Sequence, residues 1–472
     1  MGPDMSEVVT GGRRGGPNAA SDEVNVRPDL YDELRAPLDE RESVIEASRC
    51  LECGGPTAPA PCTVQCPADV DIAQFIGMIS RGDIEGAAAT VFTNNFLSGT
   101  CSRVCPVEVL CESECVLLSE GRRPIQIGQL HRHAADWALS RGISFREPGV
   151  ATGKRVAVIG AGPAGLAAAA EIAVLGHKVT VYDLRTDGGG LARTAIAPYR
   201  IWSDPLTTET ALVEALGVDF EFGFDIADPD RLREIEQHSD AIFLGVGMGK
   251  DTKVDYPGSD LVGVWDSLPF IEQIKQSLDD GEVTASPRIG NNVAVIGGGN
   301  TAIDAARLAI RLGAETVTLV YRRTEAEMPA FAHEVEEARE EGVQFAWLTN
   351  PVGFVGGDHL TGLECVTMQL VDSANGDRPR PEPIPGSEFV LPVDTVVKAI
   401  GQAARIELYE HIADLALDKG LVRINPETGQ TTNDKYFAGG DAVNGGNSVV
   451  EAVRMAKVAA LGIDAYLEGA RS

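Results

Sequence analysis

The chain has 472 residues, 40 of them basic and 70 acidic, for a formal net charge of −30. That length accommodates about three domains, and the acidic balance excludes nucleic acid or an anionic membrane surface as the main partner. No apolar run reaches the ~18 residues of a spanning helix, and no charged-then-apolar leader opens the chain, so a soluble cytoplasmic protein is expected.

Residues 1–24 are rich in Gly, Arg, Pro, Ser and Asn and read as a disordered tail. Residues 25–150 read as a mostly helical module. Helices are expected over 36–48, 72–79, 83–94 and 124–139, with glycine breaks at Gly77 and Gly82. Eight of the nine cysteines fall in this module, as Cys50-x2-Cys53-x8-Cys62-x3-Cys66-Pro67 and Cys101-x3-Cys105-Pro106-x4-Cys111-x3-Cys115. In a large intracellular enzyme such crowding indicates metal binding rather than a disulfide frame. Structural zinc also uses Cys-x2-Cys pairs. Eight thiols with two Cys-Pro pairs favour iron–sulfur clusters, two of the [4Fe–4S] kind, and the Cys-Pro cysteines indicate that the two groups exchange ligands.

A short linker leads to Val156-Ala157-Val158-Ile159-Gly160-Ala161-Gly162-Pro163-Ala164-Gly165. A buried strand enters a Gly-x-Gly-x-x-Gly turn and a helix follows. Gly160 makes the turn, Gly162 lets a pyrophosphate approach, and Gly165 lets helix and strand pack closely. The next strand ends on Asp183, 23 residues after Gly160, where a ribose hydroxyl needs an acceptor. Gly188-Gly189-Gly190-Leu191 then offers a turn able to pass close to a flavin, and residues 240–247 add a strand to the same sheet. The pattern recurs at Val295-Ile296-Gly297-Gly298-Gly299-Asn300-Thr301-Ala302, but there the second strand ends on Arg322-Arg323. Guanidinium groups in place of a carboxylate favour a 2′-phosphate, hence NADPH over NADH. After about residue 385 the chain is expected to be back in the first domain. Residues 394–402 would supply a strand there, and Gly440 with Asp441 would close the flavin site before a final helix.

The two nucleotide units resemble the glutathione-reductase-like flavoproteins, in which the first fingerprint holds FAD and the second NAD(P)H. No redox-active cysteine pair follows the first fingerprint, which puts disulfide reduction in doubt. With the cysteine module in front, residues 27–470 resemble the glutamate synthase small (beta) subunit family. That family includes the electron-entry half of dihydropyrimidine dehydrogenase and the large subunit of ferredoxin:NADP transhydrogenases. Cys50-Leu51-Glu52-Cys53, Tyr321-Arg322-Arg323-Thr324 and Gly439-Gly440-Asp441 carry the likeness, although Cys53-x8-Cys62 is longer than the family's gap.

The resemblance implies an α/β fold of two Rossmann-like domains, one inserted in the other, behind an α-helical iron–sulfur domain. The expected boundaries are 25–150 for the clusters, 151–287 with 388–472 for FAD, and 288–387 for NAD(P)H. It also implies electron flow from NADPH through FAD and two clusters to a larger subunit, that of glutamate synthase or a related FMN enzyme, or to ferredoxin. A dihydropyrimidine dehydrogenase small subunit and a ferredoxin reductase or transhydrogenase are the alternatives, and a scaffold with relic nucleotide folds is the non-enzymatic one. Cys50, Cys53, Cys62 and Cys115 are expected at one cluster. Cys66, Cys105 and Cys111 are expected at the other, completed by Cys101 or His131. No acid–base dyad stands out, and His333 and Glu334 read as surface residues.

Overall fold

The computed structural model describes residues 32–34, 36–55, 58–254, 256–280, 286–372 and 378–469; the expected disordered tail lies outside them. The first unit is helical: α1 (Glu40–Ala47), α2 (Pro61–Val64), α3 (Ile72–Ser80), α4 (Ile84–Asn94), α5 (Ser98–Val104) and α6 (Ile127–Leu139). The helix expected from residue 36 begins only at Glu40, because Asp39 caps it with a reciprocal Asp39–Glu42 capping box. Asp71 and Asp83 cap α3 and α4 in the same local way. Gly77 does not break a helix. It lies inside α3, where a Cβ would come within 2.4 Å of Glu52 Oε2.

Two parallel sheets follow. The first starts with β1 (Arg155–Ile159), α7 (Pro163–Val174), β2 (Lys178–Asp183), α8 (Gly190–Thr194), α9 (Asp204–Glu214), β3 (Asp219–Phe222), α10 (Pro229–His238) and β4 (Ala241–Leu244). The chain then builds β5 (Val264–Asp266), α11 (Ser267–Asp279), β6 (Asn292–Ile296), α12 (Asn300–Arg311), β7 (Thr316–Val320), α13 (Ala332–Glu340) and β8 (Gln344–Ala346). Three antiparallel strands, β9 (Thr349–Gly356), β10 (Leu360–Val371) and β11 (Arg380–Leu391), precede β12 (Thr395–Lys398). The remainder is α14 (Ile406–Tyr409), the hairpin β13 (Leu417–Asp418) and β14 (Leu421–Val422), β15 (Tyr436–Ala438), α15 (Asp441–Asn444) and α16 (Val449–Gly469).

The sheet orders are β15-β4-β1-β2-β3 and β5-β12-β6-β7-β8. β4 therefore belongs to the first sheet, as expected. β12 corrects the expectation that residues 394–402 return to it. Its register pairs Thr395 with Val293 and Lys398 with Ile296, so it stands beside β6 as β4 stands beside β1. The same repeat that made the fingerprints recognisable accounts for this strand. β5 and α11 also join the second unit ahead of residue 288. Two chain segments connect the sheets and run antiparallel, with Gly249 N–H donating to Ala403 O (2.7 Å), Ala403 N–H to Lys250 O (3.0 Å) and Thr252 N–H to Gly401 O (2.8 Å).

Candidate functional site

A cavity of about 650 Å³ opens at the carboxyl ends of β1, β2 and β4, where ligands of open α/β sheets bind. Gly160, Gly162, Pro163, Ala164, Asp183, Gly190, Leu191, Gly440 and Asp441 all line it. Gly160 adopts φ +103°, a region that disfavours side chains. A Cβ on Gly165 would lie 1.7 Å from Gly160 O, so the α7–β1 approach requires glycine. At Gly162 the requirement is different. A Cβ there meets nothing closer than Gly190 Cα at 3.9 Å, so it would occupy cavity rather than protein.

Gly162 is also the N-cap of α7, and no side chain caps that helix. Its orphan N–H groups are thus left for an anion. Asp183 accepts from Ala161 N–H (2.6 Å, Oδ2) and Arg185 N–H (2.8 Å, Oδ1), which holds the carboxylate at the cavity wall. Asp441 Oδ1 accepts from Asn447 N–H (3.1 Å), and burial pushes its pKa up. Lys250 and Arg405 line the cavity too. They sit on the crossing segments, and no sequence motif marked them. The cradle of small residues, an uncapped helix and two flanking carboxylates fits a dinucleotide such as FAD.

The second fingerprint repeats the arrangement. Gly299 is the N-cap of α12 without a side-chain cap, and a Cβ on it meets nothing within 4 Å. Asn300 Oδ1 accepts from Phe331 N–H (3.0 Å), and Ala302 is buried at the helix start. Gly297 takes φ +146°, and Gly298 makes room for the Tyr321 ring, which a Cβ would approach to 2.4 Å. Arg322 is exposed at the end of β7, and Arg323 Nε donates to Pro379 O (3.2 Å). Arg378 joins them from the β10–β11 connection, donating to Tyr321 Oη (3.3 Å). Sequence spacing gave no sign of Arg378, which lies 55 residues after Arg323. Thr301, at the start of α12, lines the first cavity, so the start of that helix borders the same space.

The cysteines fall into two neighbourhoods. Burial, then Cys50, Cys115 and Cys53, push the Cys62 thiol up to about 11. Cys105 shares a hydrogen bond with Cys101 that raises its pKa, as do burial and the nearby Cys111 and Cys66. Cys53 and Cys115 thus stand near Cys50 and Cys62, Cys101 stands near Cys66 and Cys105, and Cys111 is reached by both Cys66 and Cys62. His131 lies on α6. Its Nε2 is covered and unpaired among the described residues, its ring is 5.9 Å from Phe75, and burial lowers its pKa to about 4. Paired pools of soft thiolates are the donor set that iron–sulfur clusters take. Among the described residues, no three His, Cys, Asp or Glu side chains converge on a single-ion site.

Glu334 is not the surface residue expected. It is 4% exposed and pairs with Arg200 Nη1 (2.7 Å), whose Nε holds Asp304 of α12 (2.7 Å). His333 is half-buried, 3.8 Å from Glu108. Tyr199 beside Arg200 donates to Asp304 (2.6 Å) and accepts at its backbone from Leu34 (2.9 Å), so residues 199–200 tie the cysteine module to the second unit.

Two family models match this chain: "Dihydropyrimidine dehydrogenase domain II, 4Fe-4S cluster" over residues 27–143 and "Pyridine nucleotide-disulphide oxidoreductase" over 154–456. The glutamate synthase [NADPH] small chain of Halomonas elongata is 36% identical, over 94% of this chain and 95% of that protein. The Escherichia coli protein of the same name is 35% identical, over 94% and 96%. The NAD-dependent dihydropyrimidine dehydrogenase subunit PreT of E. coli is 32% identical, over 93% and 98%. Mycobacterium tuberculosis FprA in complex with NADPH shares the fold, with a TM-score of 0.56 at 18% identity over 67% of this chain and 85% of that one. Fold and site thus define a pyridine-nucleotide oxidoreductase that uses FAD, NADPH and [4Fe–4S] iron–sulfur chemistry. The chain belongs to the glutamate synthase small-subunit family. No helix among the described residues is long and apolar enough to cross a membrane.

Proposed function

We propose that this chain is the electron-input subunit of a larger enzyme, drawing on NADPH and feeding a separate catalytic subunit, with glutamate synthase the favoured assembly. One observation carries the reading. Thr301 at the start of α12 borders the first fingerprint's cavity, and a small core of Ala192, Ile201 and Leu206 joins that cavity's wall to Val104 on the cysteine helix α5. Held there, a flavin would supply the exchange between a nicotinamide's hydride and single electrons, and clusters on the cysteines would supply one-electron transfer.

The chain's own residues bind and orient. Gly162 and the uncapped α7 receive one pyrophosphate, Gly299 and α12 another, and Asp183 and Asp441 accept from hydroxyls. Arg322 and Arg323, with Arg378, favour a 2′-phosphate. Replacing Arg322 and Arg323 by Ala should raise KM for NADPH ~10–100-fold and leave NADH nearly unchanged, since one charge-assisted pair contributes about 1.5–3 kcal/mol. Equal losses with both nucleotides would remove the 2′-phosphate assignment.

Two clusters are proposed, one on Cys50, Cys53, Cys62 and Cys115, the other on Cys66, Cys101, Cys105 and Cys111. The neighbourhood of Cys101 and Cys105 supports Cys101 over His131 as the last ligand. Cys101→Ser should then lose iron and alter the EPR spectrum of the reduced protein, while His131→Ala keeps both. The reverse result restores histidine. The match of residues 27–143 to a dihydropyrimidine dehydrogenase model supports a second reading, a small subunit of that enzyme. Purifying the native complex and sequencing its large subunit separates the two. Isolation with neither type of partner would overturn both.

A further inference from the structure

We propose that Glu209, on the flavin-side helix α9, is a positioning residue for the second cysteine group, acting through the N-terminus of α5. The proposal rests on the ligand set just given. Glu209 is fully buried. Its Oε1 accepts from Gly99 N–H (2.7 Å) and Thr100 N–H (3.2 Å), and its Oε2 from Thr100 Oγ1 (2.5 Å). These donors immediately precede Cys101. Cys105, whose N–H donates to Cys101 O (3.0 Å), follows at the C-cap of the same helix.

An ordinary helix cap does not account for this contact. α1, α3 and α4 of the same module are capped by the aspartate just ahead of each. α5 alone among these four has an apolar N-cap, Leu97, with no side-chain bond, and its acceptor arrives from about 110 residues away in another unit. Among the described residues Glu209 forms no ion pair; burial pushes its pKa up to about 7, against which the hydrogen bonds from Gly99 and Thr100 and the nearby Arg103 favour the charged form, an expensive way to bury a carboxylate. Gly99 leaves room for both neighbours, since a Cβ there would lie 2.4 Å from Leu139 Cδ1 and 3.1 Å from Glu209 Oε1. Leu206, one turn earlier on α9, packs with Ala192, and Val449 rests on the same small core. Ala192 and Val449 both line the flavin cavity. One helix thus fixes the cavity wall and the cysteine helix relative to each other.

The test uses the full-length protein with its cofactors, read by iron, sulfide and FAD content, by EPR after reduction, and by redox titration. Glu209→Ala should lose about half the iron, that of one cluster of two, and keep its FAD. Glu209→Gln retains an acceptor for the two N–H groups. It should therefore recover the iron and the line shape and, titrated above about pH 8 where the parent carboxyl is ionised, show an upward shift of one cluster's midpoint potential. Full iron and unchanged EPR signals in Glu209→Ala overturn the proposal. If that variant retains neither FAD nor iron, Thr100→Val decides. It should release iron to a chelator several-fold faster than the parent, and a parental rate overturns the proposal. Cys101→Ser, run alongside, separates the two levels. Unchanged iron there removes the ligand set, whereas iron loss there with none in Glu209→Ala removes only the role of Glu209.

Discussion

Gly162 and Gly299 hold equivalent places before α7 and α12, and each borders space that the chain itself does not fill. Gly162→Val should therefore yield protein without FAD, because the side chain takes the pyrophosphate's room. Gly299→Val should keep its flavin and resist reduction by NADPH. Absorbance at the flavin bands before and after anaerobic NADPH checks both, and the opposite pattern would mean that the sites are exchanged. These glycines were legible because a fingerprint is a local backbone requirement, written within six residues. Glu209 and Arg378 were not, since each meets its partners only through tertiary contact. Cys101 and His131 remained open in the sequence because spacing alone does not show which side chain faces the cysteines.

Lys275 was equally hidden. It is 4% exposed, donates to Ile196 O (2.9 Å) and Ile201 O (3.0 Å), and burial lowers its pKa from 10.5 to about 7. Between those values the unfolded chain binds a proton that the folded chain has given up. The unfolded state then holds more protons, so the contribution of Lys275 to stability rises with pH across the window and is flat below it. Urea midpoints of the parent should accordingly gain, relative to Lys275→Met, as pH is raised from neutrality toward 9. Parallel midpoints for the two proteins would contradict the shift.

At the scale of elements, the strand–turn–helix units were readable from period and glycine spacing. The β9–β11 sheet was not, because Pro381, Pro383 and Pro385 disguise β11 as a loop. Proline suits an edge strand, where the missing N–H has no ladder partner to lose. β12 was recognised as a strand but placed in the wrong sheet, since a buried four-residue run does not say which neighbour it joins. Helices α12 and α13 are held by Arg307, 2% exposed, which reaches Glu337 (2.8 Å) and Glu341 (2.5 Å) beneath the Tyr199 ring. Both carboxylates are partly exposed, so Arg307→Met should cost about 2 kcal/mol, less than breaking a fully buried pair. Hydrogen exchange should quicken in α13. Protection equal to the parent's would show that the apolar contacts between the helices suffice.

For the molecule as a whole, the order in which the chain leaves the ribosome matters as much as the finished contacts. The first sheet is open until β15 pairs with β4, and Gly440 and Asp441 follow that strand directly. The cysteine module and the entire second unit are made before then. Domains fold as their segments become complete, so the second unit can close once β12 is made, while the first waits on its last strand. Nascent chains arrested ahead of Tyr436 should therefore carry no FAD, however long they are held. Chains arrested far enough beyond Asp441 to free β15 should acquire it, as flavin fluorescence on purified ribosome complexes would show. Flavin on the shorter chains would mean that β1 to β4 suffice to hold it. With the second unit inserted ahead of β15, flavin loading is expected to come late in synthesis, and a prematurely terminated chain should emerge without the cofactor needed to reduce anything.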